Sequence, residues 1–374
     1  MEAIAHTVFW HDEAKPVYSL AFQPQGDRLI TAGGDNHVRV WQVPVTKDPF
    51  SVSIDYWSTL IKHTQAVNVA RFNSKGDMLA TGSDDGKVFV WKLAPPDAPA
   101  EFGAEVDEDA KEKWHVVGVV RDSSKEVIDL AWSPQDDYIV VGTQGNHAVI
   151  YKLTTNETGR ISGEAVAQTD ERDHTHFVQG VAWDPLNCYI ATQSVDKSVN
   201  IYRWHQATSK LELVKKHTHV DGKLAYFSED LNSFFRRLCW TPDGAYLITA
   251  AGKTSDDDNL PCVYVFARNH WDSPVWELRG LNKPVVAVSV SPVKYRAGKD
   301  RVSTLNYYYL VAVATQDSVA VYSTETWQPL ALASNLHYCS ICDVSWDASG
   351  ERIMASSADG FCSTVVVPVP GERI

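Results

Sequence analysis

Positive charge and long apolar runs are both scarce in this sequence. Lys and Arg total 34 against 47 Asp and Glu, which gives a formal net charge of −13. This balance argues against direct, sequence-specific binding to duplex DNA, which usually requires a basic face. No apolar run reaches the ~18–20 residues that span a bilayer, and residues 1–11 lack a basic start followed by a long apolar stretch. We therefore expect no membrane span and no secretory leader.

Cysteine and methionine are also sparse, with 6 and 3 residues respectively. Cys339 and Cys342 form the one close pair of cysteines, and neither a second pair nor a neighbouring histidine pair accompanies it. The scattered spacing predicts free thiols in a reducing compartment rather than a disulfide framework or a zinc site. Aromatic residues are plentiful by contrast, with 13 Trp, 15 Tyr and 12 Phe, a composition that favours β-structure.

Motifs of catalysis are missing as well. The sequence has no nucleophile elbow, no phosphate-binding loop and no paired metal-ligand motif. His174 with His176, and His217 with His219, are two-apart pairs that would share one face of a strand. No acidic or cysteine cluster completes either pair as a metal site. We expect a protein that is not an enzyme and that binds no metal and no cofactor.

The sequence does contain a sevenfold repeat. Each copy has an apolar strand, a turn with Gly or Asp, a second apolar strand, a tight polar turn and a third strand. The third strands close at positions 41, 91, 151, 202, 266, 322 and 365, which fits a unit of ~40–45 residues with loop insertions. Short, regularly spaced strands without long helical periodicity predict an all-β fold. Four-stranded blades in a ring predict a seven-bladed β-propeller.

The two ends of the sequence predict how the ring closes. The third strand of the seventh copy runs from Phe361 to Val367 and has no strand after it. The segment from Ala5 to Trp10 precedes the first copy and has no blade of its own. We expect this N-terminal segment to supply the outer strand of the last blade, which would remove a free sheet edge. Residues 1–374 would then form a single propeller.

The second copy resembles the WD-repeat family. It has His63 before its first strand, Ser83 and Asp85 in its turn, and Trp91 at its close. The resemblance implies that these residues form a hydrogen-bonded network that holds the blade together, and that their role is structural. The corresponding residues in other copies are Asp35, Trp41 and Asp196.

Three segments exceed the length that the repeat requires. Segment 94–113 contains an acidic run at 105–112, which we interpret either as a solvated connector or as a lip that attracts a basic protein. Segments 205–234 and 291–309 are the other two insertions. The last of them is basic at first and then aromatic, with Tyr307, Tyr308 and Tyr309 in succession.

The residues that flank the start of the inner strands predict a partner-binding face. Exposed aromatic and arginine side chains supply most of the binding energy at many protein interfaces. The candidates on this face are Tyr18, Phe177, Gln179, Phe234, Arg236 and Arg237. Two alternatives remain open: the phenylalanines would pack between blades, and the arginines would pair internally with Asp129 or Asp343.

Four phrases are similar to the middle-subunit family of chromatin assembly factor 1. They lie at Trp10 to Leu20, Lys62 to Phe72, Phe177 to Pro185 and Phe234 to Gly244. The resemblance implies a nuclear scaffold subunit of a histone chaperone. With a large and a small subunit, it would deposit histones H3–H4 onto newly replicated DNA, and the large subunit would carry most of the histone affinity. In that family a tail after the propeller binds another histone chaperone, and we do not carry this property over.

Three rival interpretations remain. The propeller subunit of the related replication-independent histone chaperone has a similar phrase at Phe234 to Gly244. The double Phe and double Arg favour the replication-coupled complex. A substrate receptor of a ubiquitin ligase often carries Trp-Asp-x-Arg after a third strand. Here the closing aromatics are followed by Gln42, Lys92, Lys152 and Arg203, which argues against a receptor. A generic scaffold without a chromatin role is the third alternative.

Overall fold

Seven four-stranded antiparallel units, arranged as the blades of a propeller, make up this computed structural model. The structure describes residues 2–6, 8, 10–95, 107, 109–227, 231, 233–256, 258–298, 301–302, 305–367 and 371–374. The predicted all-β propeller is confirmed. Two single-turn 3-10 helices, Asp12–Ala14 and Gln206–Thr208, are the helical segments of the described residues. No helix in the described part of the chain has the length and apolarity that crossing a bilayer requires.

The strands follow the chain blade by blade. Strand β1 (Glu2–Ala5) comes first. Blade one contains β2 (Val17–Phe22), β3 (Arg28–Gly33), β4 (His37–Gln42) and β5 (Asp55–Ile61). Blade two contains β6 (Val67–Phe72), β7 (Met78–Ser83), β8 (Lys87–Leu93) and β9 (Trp114–Asp122). Blade three contains β10 (Val127–Trp132), β11 (Tyr138–Thr143), β12 (Ala148–Thr155) and β13 (Ile161–Gln168). Blade four contains β14 (Val178–Trp183), β15 (Tyr189–Ser194), β16 (Ser198–His205) and β17 (Lys210–His217).

The remaining blades contain two small hairpins in addition to their own strands. A hairpin of β18 (His219–Val220) and β19 (Lys223–Leu224) follows blade four. Blade five contains β20 (Cys239–Trp240), β21 (Tyr246–Lys253), β22 (Pro261–Ala267) and β23 (Trp276–Leu278). Blade six begins with β24 (Val285–Val290), continues through the hairpin of β25 (Tyr295–Arg296) and β26 (Tyr307–Tyr308), and ends with β27 (Leu310–Thr315), β28 (Ser318–Ser323) and β29 (Pro329–Ser334). Blade seven contains β30 (Ile341–Trp346), β31 (Arg352–Ser357) and β32 (Cys362–Val366).

The core lies between neighbouring blades instead of at one centre. Strands β15 and β31 are buried at every residue because each blade is covered by a neighbour on both faces. Continuous apolar runs are typical of strands buried on both faces. One such cluster joins Val69 and Val88 of blade two to Val127 and Leu130 of blade three. Repeating this interface around the ring lets 374 residues bury their apolar surface without a single oversized core.

Strand β1 closes the ring by pairing with β32 of blade seven. The register runs antiparallel from Glu2 opposite Val366 to Ala5 opposite Ser363. The predicted closure by the N-terminal segment is therefore correct, but the boundaries were wrong, because we expected the strand between Ala5 and Trp10. Trp10 instead packs in the core shared by the first and last blades, edge-on to the Trp41 ring.

Blades two and three are joined along their outer edges. Strand β9 pairs in parallel with β13, with Ile161 opposite Gly118 and Ser162 opposite Val119. The eight strands of the two blades therefore form one sheet. A Cβ atom at Gly118 would lie 2.3 Å from the Ile161 carbonyl oxygen, and one at Gly163 would lie 2.6 Å from the Val120 carbonyl oxygen. Glycine at both positions permits the close approach of the two backbones.

The end of segment 94–113 packs on the outer edge of blade one. The Lys111 backbone N–H donates to the Trp57 carbonyl over 2.7 Å, and the Arg28 guanidinium binds the Glu112 carboxylate over 2.8 Å. These contacts cover part of the β5 edge, which would otherwise offer unpaired backbone groups. Lys111 and Glu112 are therefore anchored to blade one, whereas residues 96–106 and 108 lie outside the described residues.

The other two long segments contain strands of their own. Segment 205–234 includes β17, which is the outer strand of blade four, and the hairpin of β18 and β19. Segment 291–309 includes the hairpin of β25 and β26, in which the Tyr295 and Tyr308 rings stack with centroids 5.5 Å apart. Near the C-terminus, the Ile374 backbone N–H donates to the Lys294 carbonyl beside this hairpin.

Candidate protein-interaction surface

A chain of hydrogen bonds joins the turn of blade two to its second and third strands. The Trp91 indole N–H donates to Thr81 Oγ1 over 2.9 Å, and Thr81 Oγ1 lies 2.8 Å from His63 Nε2. His63 Nδ1 lies 2.9 Å from the Asp85 carboxylate. The carboxylate requires the proton on Nδ1, so that Nε2 accepts from the Thr81 hydroxyl. Ser83 Oγ accepts the Asp85 backbone N–H and donates to a loop carbonyl.

The same network recurs in other blades. In blade one it consists of His11, Thr31, Asp35 and Trp41, and His11 Nδ1 lies 2.6 Å from the Asp35 carboxylate. In blade four it consists of His174, Thr192, Asp196 and Ser198. In blade seven it consists of His337, Ser357 and Asp359: His337 Nδ1 lies 3.2 Å from the Asp359 carboxylate, and Ser357 Oγ accepts the Asp359 backbone N–H. The described partners of these histidines all lie within their own blades.

His11, His174 and His337 were not predicted as network members. For two of them the signal was present as a spacing, because His174 precedes Asp196, and His337 precedes Asp359, by the same interval at which His63 precedes Asp85. His174 was considered only as half of a metal pair. Its ring is engaged by Asp196 and Thr192, and among the described residues neither His174 nor His217 belongs to a group of three potential metal ligands.

One group of potential metal ligands exists among the described residues. Asp12, Asp35 and His37 bring their ligand atoms within 4.8 Å of one another. Arg39 lies inside this group, with its guanidinium 2.6 Å from Asp35 and 2.7 Å from Asp12. The carboxylates are thus already neutralised by a fixed cation, and Asp35 also accepts from His11. The arrangement is an ion-paired turn, and we assign no metal to it.

The axis of the ring is crossed by a buried arginine, Arg237. Its guanidinium donates to the carbonyl oxygens of Tyr18 over 2.9 Å, of Asn68 over 2.7 Å and of Cys342 over 2.7 Å. These acceptors belong to blades one, two and seven, whereas Arg237 immediately precedes the inner strand of blade five. One side chain therefore ties together inner strands from four blades.

Two buried carboxylates, Asp343 and Asp129, balance the charges of Arg237 and of a second arginine, Arg71. Asp343 lies 3.4 Å and Asp129 lies 3.6 Å from its guanidinium, and Arg71 binds Asp343 over 2.8 Å. Burial alone would raise the pKa of Asp343, but the two arginines outweigh it and lower that pKa. For Asp129 burial prevails, and its pKa is raised. The group is nearly inaccessible, with Arg237 only 3% exposed.

Arg236 is buried as well. Its Nε donates to the Gln179 side-chain oxygen over 2.8 Å, and its Nη1 donates to the Phe227 carbonyl over 2.6 Å. The expectation that Gln179, Arg236 and Arg237 present themselves to a partner is therefore wrong for this structure. An arginine buried among blades requires internal partners to offset its desolvation, and it finds them here. Internal pairing with Asp129 and Asp343 therefore describes Arg237, whereas Arg236 donates to the Gln179 side chain and the Phe227 carbonyl.

Aromatic side chains cover the axis at the end where the inner strands begin. Phe235 is buried there, with the Arg237 guanidinium carbon 4.1 Å from its ring centroid. Tyr18 and Phe234 pack on Phe235 with ring centroids 5.9 Å and 5.4 Å away. Phe177 is half-buried against the same cluster. We call the surface formed by Tyr18, Phe177, Phe234 and Phe235 the top mouth.

The exposed fraction of each side chain in the top mouth shows whether it packs in the core or is accessible to a partner. Phe234 is 43% exposed, whereas Phe235 is 2% exposed. Tyr18 and Phe177 are intermediate. Phe235 is thus a core residue, and its three neighbours combine partial packing with an accessible apolar face. Large aromatics that are rigidly held and partly open are the side chains that anchor protein interfaces.

The end of the ring axis opposite the top mouth holds a cavity of about 520 Å³. Its wall includes the ends of the inner strands, with Arg71 and Trp132 among the side chains, and Asp129, Arg237 and Asp343 lie at its inner limit. The buried charges therefore separate this cavity from the top mouth.

Comparisons with known proteins agree with this architecture. The family model described as the CAF1B/HIR1 beta-propeller domain matches residues 1–369. The chain belongs to this family. The B subunit of chromatin assembly factor 1 from Saccharomyces cerevisiae is 36% identical, over all of this chain and 88% of the relative. The chicken protein of the same name is 34% identical, over 98% of this chain and 67% of the relative.

A second branch of relatives has lower identity. Protein HIR1 of Phaeosphaeria nodorum is 29% identical over 95% of this chain, which corresponds to 33% of that relative. The resemblance to the middle subunit of chromatin assembly factor 1 is confirmed as family membership, and the identities favour that branch over the HIR1 branch.

Proposed function

We propose that this chain is a non-catalytic scaffold subunit of a nuclear histone chaperone complex that deposits histones H3–H4 onto newly replicated DNA. The observation that carries the proposal is the full-length similarity to proteins named as the B subunit of chromatin assembly factor 1, at up to 36% identity among these relatives. We also propose that residues 1–374 act as one propeller. A ring of packed blades supports a scaffold role because it displays a rigid rim.

The scaffold works by binding and makes or breaks no covalent bond. It binds the large subunit of the complex, and the large subunit supplies most of the affinity for histones. The small subunit completes the assembly. The net charge of −13 is compatible with a role beside basic histones, because an acidic protein competes poorly for DNA and favours contact with basic partners.

Contact with the large subunit is assigned to the top mouth. Tyr18, Phe177 and Phe234 supply accessible apolar surface there, next to a core that holds them in place. Gln179, Arg236 and Arg237 contribute by fixing this surface from below. The network residues of the blades, such as His63 and Asp85, keep the rim rigid.

Reconstitution tests the proposal. The chain is co-expressed with the large and small subunits, and the purified complex is added to H3–H4 and replicating plasmid DNA. We expect a stoichiometric complex and nucleosome formation, measured by plasmid supercoiling, that depends on this chain. Failure of the chain to join the two subunits would refute the proposal, and so would assembly that proceeds equally well on unreplicated DNA.

A further inference from the structure

Two carboxylates that form no salt bridge within the described part of the chain lie beside the top mouth. Asp84 follows the second strand of blade two, and Glu126 precedes the first strand of blade three. The Asn68 amide donates to Asp84 Oδ1 over 2.5 Å and to the Val127 carbonyl over 2.8 Å, which holds Asp84 close to the start of blade three. The Gln144 amide donates to Glu126 Oε2 over 2.7 Å. We call Asp84 and Glu126 the acidic pair.

The acidic pair is held in an unfavourable state. Neither carboxylate forms a salt bridge with a described residue. Asp84 Oδ2 and Glu126 Oε1 also accept no hydrogen bond from any described residue. Burial and the neighbouring Asp85 raise the pKa of Asp84, and burial and the charge of Asp84 raise the pKa of Glu126. Asp343 on the ring axis differs from the acidic pair, because it forms salt bridges with two arginines. A cation placed at the pair would relieve this repulsion.

The acidic pair adjoins the aromatic surface of the top mouth. Arg237 donates to the carbonyl oxygens of both Tyr18 and Asn68, and the Asn68 amide holds Asp84, so Tyr18 and Asp84 lie at the starts of neighbouring blades. Tyr18 in turn packs on Phe235, and Phe235 on Phe234. The acidic pair, on blades two and three, thus lies beside the aromatic rings contributed by blades one and five.

We propose that the top mouth binds a short protein segment in which an arginine or lysine side chain lies next to a bulky apolar residue. The apolar residue packs on Phe234, Tyr18 and Phe177, and the cation lies between Asp84 and Glu126. This inference rests on the proposed function for the assignment of the top mouth as a contact surface, and it adds the chemistry of the occupant. Nucleic acid is a poor occupant because the acidic pair repels phosphate.

A peptide selection tests the occupant without assuming its identity. A displayed library of random twelve-residue peptides is selected on the immobilised full chain. We expect enrichment of peptides with Arg or Lys beside Leu, Ile, Phe or Met. The same selection on a double variant, Asp84→Asn with Glu126→Gln, should lose this enrichment. The matched control, Glu157→Gln with Glu171→Gln, removes two exposed carboxylates elsewhere and should retain it.

Affinities of a selected synthetic peptide complete the test. Fluorescence anisotropy should show at least a roughly tenfold weaker Kd for the acidic-pair variant, for Phe234→Ala, and for a peptide whose basic residue is replaced by Gln. Binding should weaken as salt rises, since exposed charges are screened. Enrichment of acidic or uncharged peptides, or equal binding to the acidic-pair variant, would overturn the inference.

The result is distinguishable from failure of the proposed function. Reconstitution of the three-subunit complex uses the unaltered chain, so its outcome is independent of the peptide experiment. Basic, apolar peptides that depend on the acidic pair would support the inference even if the chain did not join the two other subunits. The melting temperature of the acidic-pair variant should stay within a few degrees of that of the parent, because Asn and Gln retain the side-chain acceptors.

Discussion

Arg237 and Asp343 face each other across the axis of the ring, with 3.4 Å between guanidinium and carboxylate, although they belong to blades five and seven. The two residues are 3% and 2% exposed. A buried ion pair is weak evidence for net stability, but loss of one member leaves an uncompensated buried charge. The pair therefore makes the centre of the propeller intolerant of single charge deletions.

Replacement of Arg237 by Met should destabilise the chain strongly. The change leaves Asp343 and Asp129 buried with Arg71 as their remaining cation and frees three carbonyl oxygens. We expect a loss of about 3–5 kcal/mol in the free energy of unfolding, measured by chemical denaturation. Phe234→Ala is the control, because its side chain is largely accessible and its removal should cost little. A midpoint for Arg237→Met equal to that of the parent would show that the axial charges contribute nothing.

A threonine at position 355 should stabilise blade seven. Among the described residues, His337 Nε2 is buried without a hydrogen-bond partner, because Ala355 occupies the position that Thr81 holds in blade two. Ala355→Thr supplies a hydroxyl and should add about 1 kcal/mol to the free energy of unfolding. The gain should disappear when the same change is made in His337→Ala. A loss of stability in the parent background would mean that this site has no room for the hydroxyl and methyl groups.

The network of blade two should make stability depend on acid pH. Burial opposes ionisation of Asp85, but the hydrogen bond from His63, the charge that His63 carries when its ring is protonated, and two backbone N–H groups outweigh it and lower the pKa of Asp85 to about 2. A carboxyl whose pKa is lower in the folded state stabilises the protein above its unfolded pKa of about 3.9, and this contribution is lost as pH falls toward 2.

Asp85→Asn should therefore be less stable than the parent at pH 7 by about 1–2 kcal/mol, and the difference should shrink between pH 4 and pH 2. Thermal unfolding of both proteins across this range measures the effect. Asp272→Asn serves as a matched control, since Asp272 is exposed and pairs only with Lys215 on the surface. A difference between Asp85→Asn and the parent that stays constant with pH would argue against titration of Asp85.

The outer seam between blades two and three should open when Gly118 is replaced. A valine Cβ at this position would lie 2.3 Å from the Ile161 carbonyl, so β9 and β13 must separate. We expect faster amide hydrogen exchange over Gly118 to Val120 and Ile161 to Gly163. Gly298→Val is the control, because its nearest neighbour to a new Cβ is a flexible carboxylate 3.3 Å away. Unchanged exchange would show that the parallel pairing is dispensable.

The sequence predicts the repeating parts of the molecule and misses the contacts that are made only once. Seven copies of the strand pattern predict seven blades, and the unpaired end of the last copy predicts closure by the N-terminus. The seam of β9 and β13 has no periodic signal, because it depends on single glycines at two unrelated positions. His337 has the weakest sequence signal among the network histidines, because Ala355 holds the position of the threonine that accompanies the others.

The candidate site was predicted in part for a similar reason. The chemistry of Phe234 and Arg236 is that of interface residues, and the sequence places both near the mouth of the ring. Neighbours in sequence at this point have opposite environments, since Phe234 is 43% exposed and Arg236 is 1% exposed. The three-dimensional positions of Gln179 and the Phe227 carbonyl contribute to this difference, because both groups accept hydrogen bonds from the guanidinium.

The top mouth is proposed to be a binding surface on a rigid ring. Measuring the affinity of the large subunit for a triple variant tests this most directly. The variant combines Tyr18→Ala, Phe177→Ala and Phe234→Ala, and its Kd is measured by isothermal titration alongside its circular dichroism melt. The account predicts at least a roughly tenfold weaker Kd, while the β-rich spectrum and the cooperative melt are preserved. An unchanged Kd in a folded variant would contradict it.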